Sequence, residues 1–225
     1  MELHVEQGPV LERAGVPIGI VTGIFGQIRL SVRFEGRADH AGTTPMTMRA
    51  DAYAAAAEFS HQFRRAVLDL GEGVAVGTIG LVRVEPNAGN VVPSRVRLGL
   101  EIRDINPDRL ERLGGEVRRL AESAATDGVT VSLRTIHEAP PTPLDAALCD
   151  RFAAAAETSG VAALRLPSGA GHDVQPMSAL TRTGLIFVPS VGGRSHCPEE
   201  DTDWADIEAG AAVLEATARD LVEGR

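Results

Sequence analysis

The sequence predicts an α/β protein in two parts, with one part inserted into the other. Several short runs alternate apolar and polar residues, which is typical of β-strands. Two long segments between them carry apolar residues at helical spacing. Within residues 26–137 the order is strand, helix, strand, strand, helix, strand, which indicates a ferredoxin-like βαββαβ arrangement. Residues 1–25 and 138–225 are then predicted to form the pieces of one α/β domain around this insertion.

The first 25 residues predict two strands and one helical turn. Residues 2–6 alternate as a strand that Gly8 and Pro9 end, and residues 10–14 read as a short helical turn. The β-branched run of residues 18–24 predicts the second strand.

The inserted part contains six elements separated by turn and capping residues. One predicted helix is closed by Gly71, and the other begins after Asn106 as its N-cap, with Pro107 in its first turn. The predicted strands cover 27–34, 74–84, 96–103 and 129–136, and the predicted helices cover 49–70 and 107–125.

The proline-rich segment 139–143 reads as the return linker to the outer part. Beyond it the sequence predicts, in order, a helix over 144–159, a loop over 167–173, a strand over 184–189 and a helix over 203–222.

Composition narrows the functional class. The net charge is −9, which argues against a nucleic-acid partner, and no apolar run reaches the length of a membrane span. The two cysteines, Cys149 and Cys197, do not form a disulfide framework. The first residues lack the charged and then apolar pattern of a signal sequence, so we expect a cytoplasmic protein. Cys197 next to His196 shows no nucleophile–base pattern and is interpreted as a packing residue.

Two histidines near opposite ends of the chain lie beside carboxylates. His4 is on the first strand, and His196 follows a glycine-rich loop after a buried-type strand. Zinc needs three or four protein ligands, so the two histidines together are only part of a metal site. Each histidine could instead be a structural residue of its strand or loop.

Two constrained loops could also carry chemistry. The loop 38–45 is polar and centres on His40; the alternative is that Thr43 or Thr44 caps the following helix. The loop 167–173 is a turn whose amides could meet an oxyanion, and it lacks the spacing of a dinucleotide-binding fingerprint.

Asn90 and Arg103 are the remaining candidates. Asn90 follows a turn, where asparagine is common without a further role. Arg103 ends a strand, and its alternative role is a surface ion pair with Asp104 or another local acid.

Six motifs in a fixed order carry a family resemblance: ELHVEQGPVLE, ADHAGTTPM, NVVP, the Arg-Asp pair at 103–104, PSGAGHD and GRSHCPEE. On these motifs the chain resembles the C-terminal portion of hydantoinase/carbamoylase-family amidases. That family includes N-carbamoyl-L-amino-acid hydrolases, β-ureidopropionases and allantoate amidohydrolases, and it is similar to the aminoacylase-like dinuclear zinc peptidases.

The resemblance implies a role for each matching residue. One histidine would bind each of two metal ions, and a loop histidine and an asparagine would reach the active site of a partner subunit. An arginine would hold the substrate carboxylate with its guanidinium fork. The implied metal ligands are His4 and His196; the implied substrate-binding residues are Gln27, His40, Asn90, Arg103 and Gly171, with His40 also catalytic.

The implied protein is a metal-dependent amidohydrolase that cleaves a ureido or amide C–N bond. Histidine and carboxylate ligands suit zinc, manganese or cobalt. Family members carry their other ligands and the acidic general base in an upstream half, so the ligand set here is incomplete. Residues 1–25 and 138–225 would be a partial catalytic domain, and the inserted domain, residues 26–137, would be a lid that pairs two copies into a homodimer. Alternatives are an aminoacylase or peptidase of the same superfamily, or an inactive binding or dimerisation fragment.

Overall fold

A computed structural model describes residues 1–126 and 128–224 of the chain. The chain forms two compact units, which we call the outer unit (Met1–Phe25 and Thr142–Arg225) and the inner unit (Gly26–Pro141). Each unit has its own sheet, and the predicted α/β class is confirmed. Among the described residues, no helix is both long enough and apolar enough to cross a membrane.

The outer unit is built on a mixed five-stranded sheet. Its elements are β1 (Glu2–Val5), α1 (Val10–Ala14), β2 (Ile18–Ile24), β7 (Thr142–Pro143), α4 (Ala146–Thr158), β8 (Ala163–Ser168), α5 (Val174–Met177), β9 (Leu185–Val188) and α6 (Trp204–Glu223). Strand β1 runs parallel to β9, β9 runs antiparallel to β2, and β2 also pairs with β8 and with the short β7.

The central strands of the outer sheet are buried on both faces. All four residues of β9 and six of the seven residues of β2 are buried, which is why their sequences are nearly continuous apolar runs. One face packs on α4 and α6 through residues such as Phe152 and Val213, and a second cluster contains Leu11 and Val174. This packing fixes β1, the strand that carries His4, beside β9.

The inner unit is a four-stranded antiparallel sheet with two helices. Its elements are β3 (Gly26–Glu35), α2 (Ala52–Leu70), β4 (Val76–Glu85), β5 (Arg95–Asp104), α3 (Pro107–Ser123) and β6 (Thr130–Ala139). The strands lie in the order β4, β5, β3, β6 across the sheet.

The inner sheet has one buried face and one open face. Along β3 the residues Ile28, Leu30, Val32 and Phe34 are buried and pack with the apolar sides of α2 and α3. Successive side chains of a strand point to opposite faces, so the polar residues between them lie on the other face. We call this surface the open face of the inner sheet.

A buried ion pair joins the end of β5 to the start of α3. Asp104 is fully buried, and its two carboxylate oxygens accept hydrogen bonds from Nε and Nη2 of Arg109 at 2.5 and 2.7 Å. Asp104 also accepts from the amide of Asn106, whose own side chain caps α3 as predicted by accepting from the Arg109 amide. The pair and the cap therefore fix the turn between β5 and α3.

Several boundaries differ from the sequence prediction, and the predicted linker 139–143 contains the end of β6 and the short strand β7. Helix α2 begins at Ala52, three residues later than predicted, because the Asp51 side chain accepts from the amides of Tyr53 and Ala54. Residues 163–168 form β8, which was not predicted, so Pro167 and Ser168 belong to a strand rather than to the predicted loop. Proline is compatible with a strand at a sheet edge.

We expect residues 26–141 to fold when produced alone and to self-associate. The buried cluster of the inner unit is drawn entirely from this segment, and the family resemblance implies pairing through it. Circular dichroism and light scattering over a range of concentrations test both points. An unfolded segment would contradict its autonomy, and a folded strict monomer at high concentration would contradict the pairing.

Candidate functional site

His4 has the geometry of a metal ligand held in one tautomer. Its Nδ1 lies 2.8 Å from the carbonyl oxygen of Val5, and because a carbonyl can only accept, Nδ1 carries the proton. The lone pair is then on Nε2. Metal-binding histidines commonly donate their other ring N–H to a backbone carbonyl in this way.

Glu2, His4 and His172 form the one group of three metal-type side chains found among the described residues. One ligand atom from each lies within 4.8 Å of the others. Glu2 and His4 share a face of β1, because they are two residues apart on a strand. The group fits a divalent ion only in part, since the Glu2 carboxylate already accepts from the Val174 amide at 2.9 Å.

His172 is the buried member of this group. Its side chain is 1% exposed, its Nε2 lies 2.7 Å from the Ser168 hydroxyl, and its Nδ1 is 3.6 Å from Glu2. Its ring lies edge-on to the ring of His4, with centroids 4.9 Å apart. Burial, and next the nearby charge of His4, lower the pKa of His172, which favours the neutral imidazole.

Sequence reasoning selected the loop that contains His172 but not the residue itself. It also missed Glu2. The signal available was the alternation of Glu2 with His4 on one strand, together with a second histidine beside Gly171. His4 and His172 are 168 positions apart in the chain, so no local pattern predicts their contact. The structure brings them together through the pairing of β1, β9, β2 and β8.

His196 lies outside that group, in a strained turn beside Gln7. Both residues have positive backbone φ, 57° for His196 and 59° for Gln7, which is uncommon for residues other than glycine. The Gln7 side chain donates to the Ser195 hydroxyl at 3.1 Å, and the two Nε2 atoms of Gln7 and His196 are 3.5 Å apart. Such strain is concentrated at functional sites in proteins.

Glu200 holds this turn from its other side. Its carboxylate accepts from the His196 amide at 2.7 Å. The pKa of Glu200 is lowered mainly by a hydrogen bond from the Ser195 side chain and next by the hydrogen bond from the His196 backbone. The turn therefore contains an ionised carboxylate tied to the backbone of the histidine.

Gly171 lies in the loop after β8. Ser168 holds that loop, because its hydroxyl accepts from the Ala170 amide at 3.1 Å and also contacts His172. A Cβ added at Gly171 would lie 3.6 Å from the Gln175 side chain, which is an ordinary contact distance. The described residues therefore leave enough space for a side-chain Cβ at position 171.

In the inner unit, Gln27 and Arg103 stand side by side. They are paired residues of β3 and β5 on the open face, and both donate to the carboxylate of Glu101, as does Arg29. Burial raises the pKa of Glu101, but the hydrogen bonds from Arg103 and Arg29 outweigh it, so the net pKa is lowered. The alternative role of Arg103, an ion pair with a local acid, is therefore present, with Glu101 at 2.5 Å as the acid, whereas Asp104 is paired with Arg109.

His40 is held in the tautomer opposite to that of His4. Its Nδ1 accepts from the amides of Gly42 and Thr43 at 3.0 and 3.2 Å, so the proton of the neutral ring is on Nε2. The alternative that Thr43 or Thr44 caps the following helix is wrong, because Asp51 is the cap. His40 can therefore donate a hydrogen bond outward from Nε2.

Asn90 lies next to the His40 loop. The amide of Ala41 donates to the carbonyl of Asn90 at 3.0 Å, and His40 pairs with Val91. The Arg49 guanidinium braces the same loop by donating to the carbonyls of Ala41 and Thr44.

The structure thus groups the four predicted inner-unit residues into two pairs. Gln27 is at the start of β3, and His40 lies beyond its end at Glu35. Eight residue steps of an extended strand span about 27 Å. The pair Gln27 and Arg103 is therefore at the opposite end of the sheet from the pair His40 and Asn90.

Comparison with known proteins identifies the family. Residues 1–220 match peptidase family M20/M25/M40. The chain belongs to this family. It is 38% identical over 215 residues to an N-carbamoyl-L-amino-acid amidohydrolase of Paenarthrobacter aurescens, covering 95% of this chain and 52% of that protein. It is 36% identical to the allantoate amidohydrolase of Bacillus subtilis, covering 95% of this chain and 52% of that protein.

A solved structure supports the same assignment. The crystal structure of an amidase of the hydantoinase/carbamoylase family from Burkholderia phymatum matches with a TM-score of 0.91 and 33% identity, covering 99% of this chain and 54% of that one. The resemblance inferred from the six motifs is therefore confirmed. The chain spans about half the length of the curated relatives it matches.

The Glu101 contacts lead to a prediction about acid stability. The carboxylate has a lowered pKa when folded, so it stabilises the fold above its unfolded pKa near 4.5, and this contribution is lost as the pH falls below that value. We expect Glu101→Gln to lose less unfolding free energy than the wild type when urea denaturation is repeated near pH 4.

The matched control for this measurement is Glu111→Gln, at an exposed position of α3. This variant should keep the full acid sensitivity of the wild type. Equal acid sensitivity in Glu101→Gln would mean that the three donors do not stabilise the charged carboxylate.

Proposed function

We propose that this chain is part of a metal-dependent amidohydrolase that cleaves the ureido or amide C–N bond of an N-carbamoyl amino acid or an allantoate-like substrate. The observation that carries the proposal is the fixed tautomer of His4, whose Nε2 lone pair is available inside a group of metal-type side chains. The amidohydrolase relatives support the substrate class.

His4 and His196 would each supply one imidazole ligand in the complete enzyme. Two divalent metal ions, of zinc, manganese or cobalt, would lower the pKa of a water molecule and so supply the nucleophile. The described residues offer a partial ligand set, so the rest of the complete enzyme would supply the remaining ligands. His172 would orient His4 by edge-on ring packing at 4.9 Å.

The inner unit would bind the substrate. Arg103 would grip the substrate carboxylate with its guanidinium fork, and Gln27 beside it would add a donor. Glu101 orients both side chains by accepting from each of them. In this proposal the inner unit is a ferredoxin-like lid, and it corresponds to the inserted domain predicted over residues 26–137.

A second copy of the chain would complete each site. The end of β3 from which the His40 loop continues is about 27 Å along the sheet from Gln27, too far for one small substrate to reach both ends within a single inner unit. A two-fold dimer is the commonest closed arrangement and would bring these residues to the partner's site. There the Nε2–H of His40 would donate to the carbonyl oxygen as negative charge develops.

A chimera tests the function directly. The portion of the Paenarthrobacter aurescens relative that matches this chain is replaced by residues 1–225, and hydrolysis of N-carbamoyl amino acids and allantoate is measured with added zinc, manganese or cobalt. We expect metal-dependent turnover by the chimera and none by the 225-residue chain alone, because its ligand set is partial.

Histidine variants of the chimera separate the site from the scaffold. His4→Ala and His196→Ala should each abolish turnover and weaken metal binding, whereas His61→Ala, at an exposed position of α2, should do neither. A folded chimera with no turnover on either substrate class, or a robustly active isolated chain, would contradict the proposal.

Arg103→Lys in the same chimera tests substrate recognition. If Arg103 makes two parallel hydrogen bonds to a carboxylate, lysine supplies only a point charge. We expect a loss of about 1–3 kcal/mol, which is roughly a tenfold to hundredfold drop in kcat/KM. An analogue whose carboxylate is replaced by a neutral amide should be affected much less.

The ratio of the two kcat/KM values distinguishes recognition from a structural role. If Arg103 serves only to hold Glu101 in place, both substrates lose activity equally and the ratio is unchanged. That result would remove Arg103 from the proposed binding site.

A further inference from the structure

The open face of the inner sheet contains a cleft rich in arginine. The cleft has a volume of about 460 Å³ and is lined by residues from all four strands. This size is within the range of small-ligand sites, about 300–1,000 Å³. Five of its lining side chains, which define what we call the arginine cleft, are Arg33, Arg83, Arg95, Arg97 and Arg134.

The strand register places three of these arginines in one row. Arg83 on β4 is paired with Arg97 on β5, and Arg97 is paired with Arg33 on β3. Neighbouring strands are about 4.8 Å apart, and like charges directly opposite each other destabilise a sheet. The row therefore has an electrostatic cost that a bound anion would relieve.

Two carboxylates reduce this charge without cancelling it. Glu85 Oε2 is 2.5 Å from Nη1 of Arg95, and Glu35 Oε1 is 2.9 Å from Nη2 of Arg33. Five guanidinium groups thus face two carboxylates, which leaves three positive charges in excess. This excess stands out in a chain whose net charge is −9.

Several arginines of the cleft have no carboxylate partner among the residues that the structure describes. Among residues 1–126 and 128–224, Arg83, Arg97 and Arg134 form no ion pair, and Arg97 donates only to the Ser31 hydroxyl, at 3.3 Å. The Nε of Arg95 is buried without a hydrogen bond, and its ion-pair partner Glu35 Oε1 is 3.6 Å away. Buried donors without a hydrogen bond are rare in proteins and call for an explanation.

We propose that the arginine cleft is a binding site for a phosphate-type polyanion, such as pyrophosphate or the polyphosphate of a nucleotide. Guanidinium forks match phosphate oxygens with paired hydrogen bonds, and a ligand with several negative charges complements the row of three arginines. The hydroxyls of Ser31 and Ser132 line the same cleft and can add neutral hydrogen bonds.

The cleft is separate from the residues proposed to hold the substrate. Arg97 and Arg103 are six residues apart on β5, which is about 20 Å along an extended strand. The pocket between them is lined by Leu81, Gly99 and Ile136 among others, and it offers a mainly apolar floor. One small carboxylate could not contact both arginines.

Calorimetric titration of the 225-residue chain with pyrophosphate tests the proposal, with ionic strength held constant by sodium chloride. We expect saturable binding and a rise in the melting temperature with pyrophosphate concentration. The double variant Arg33→Gln with Arg97→Gln should bind about tenfold more weakly or worse, because two charge-assisted contacts are lost.

The matched control removes the same charge from another surface. Arg64→Gln with Arg65→Gln changes two exposed arginines of α2, and it should leave the affinity within about twofold of the wild type, because it only lowers the overall charge. Circular dichroism verifies that both double variants are folded. Without pyrophosphate, the cleft variant should be at least as stable as the wild type, since the repulsion within the row is reduced.

Inorganic triphosphate and a nucleoside triphosphate distinguish the two sources of the ligand. Equal affinities would assign the site to polyphosphate itself, and tighter nucleotide binding would add contacts to the base or sugar; both support the proposal. Absence of saturable binding overturns it, and so does an equal loss in the two double variants. The proposal is also overturned if pyrophosphate binds to neither the wild type nor the cleft variant, while the cleft variant loses the self-association seen by light scattering for the wild type. That result would assign the arginine cleft to contact between two copies of the chain.

Discussion

The alternation of the inner sheet is the constraint on which most of this chain's chemistry depends. Helices α2 and α3 cover one face, so every second residue of β3 must be apolar, and the residues between are forced to the open face. Gln27, Glu101 and Arg103 share that surface with Arg33 and Arg97. A register slip of one residue in β3 would exchange the faces of that strand and remove Gln27 and Arg33 from the open face together.

The backbone assigns opposite tasks to two histidines. The carbonyl of Val5 fixes the proton of His4 on Nδ1, whereas the amides of Gly42 and Thr43 leave the proton of His40 on Nε2. His4 therefore offers a lone pair, and His40 offers a donor. These are the properties that a metal ligand and a group facing a developing oxyanion require. Neither assignment depends on a partner side chain, so each belongs to the local fold.

The sequence could predict what depends on local order but not what depends on register. The strands β3 and β5 and the start of α3 at Asn106 follow from alternation and capping, and the structure agrees with them within one or two residues. Strand β8 was missed because Arg165 and Pro167 interrupt its pattern. The contact of Glu2 with His172 and the row of arginines arise from pairings between distant segments, which no window of sequence contains.

The bracing of the His40 loop is understandable if that loop serves a second copy of the chain. A loop that contributes a donor to the binding site of its own unit can be positioned by the bound ligand and by the neighbouring residues of that site. The His40 loop continues from an end of β3 that is about 27 Å from Gln27, so a loop that serves a second copy would have no such support and would need to be positioned in advance. Arg49 supplies this support by donating to two loop carbonyls, and Asp51 anchors the loop's end at the start of α2. Preorganisation of this kind avoids the entropy cost of ordering the loop when a ligand binds. A donor held in place in advance is also the kind that stabilises developing negative charge most effectively.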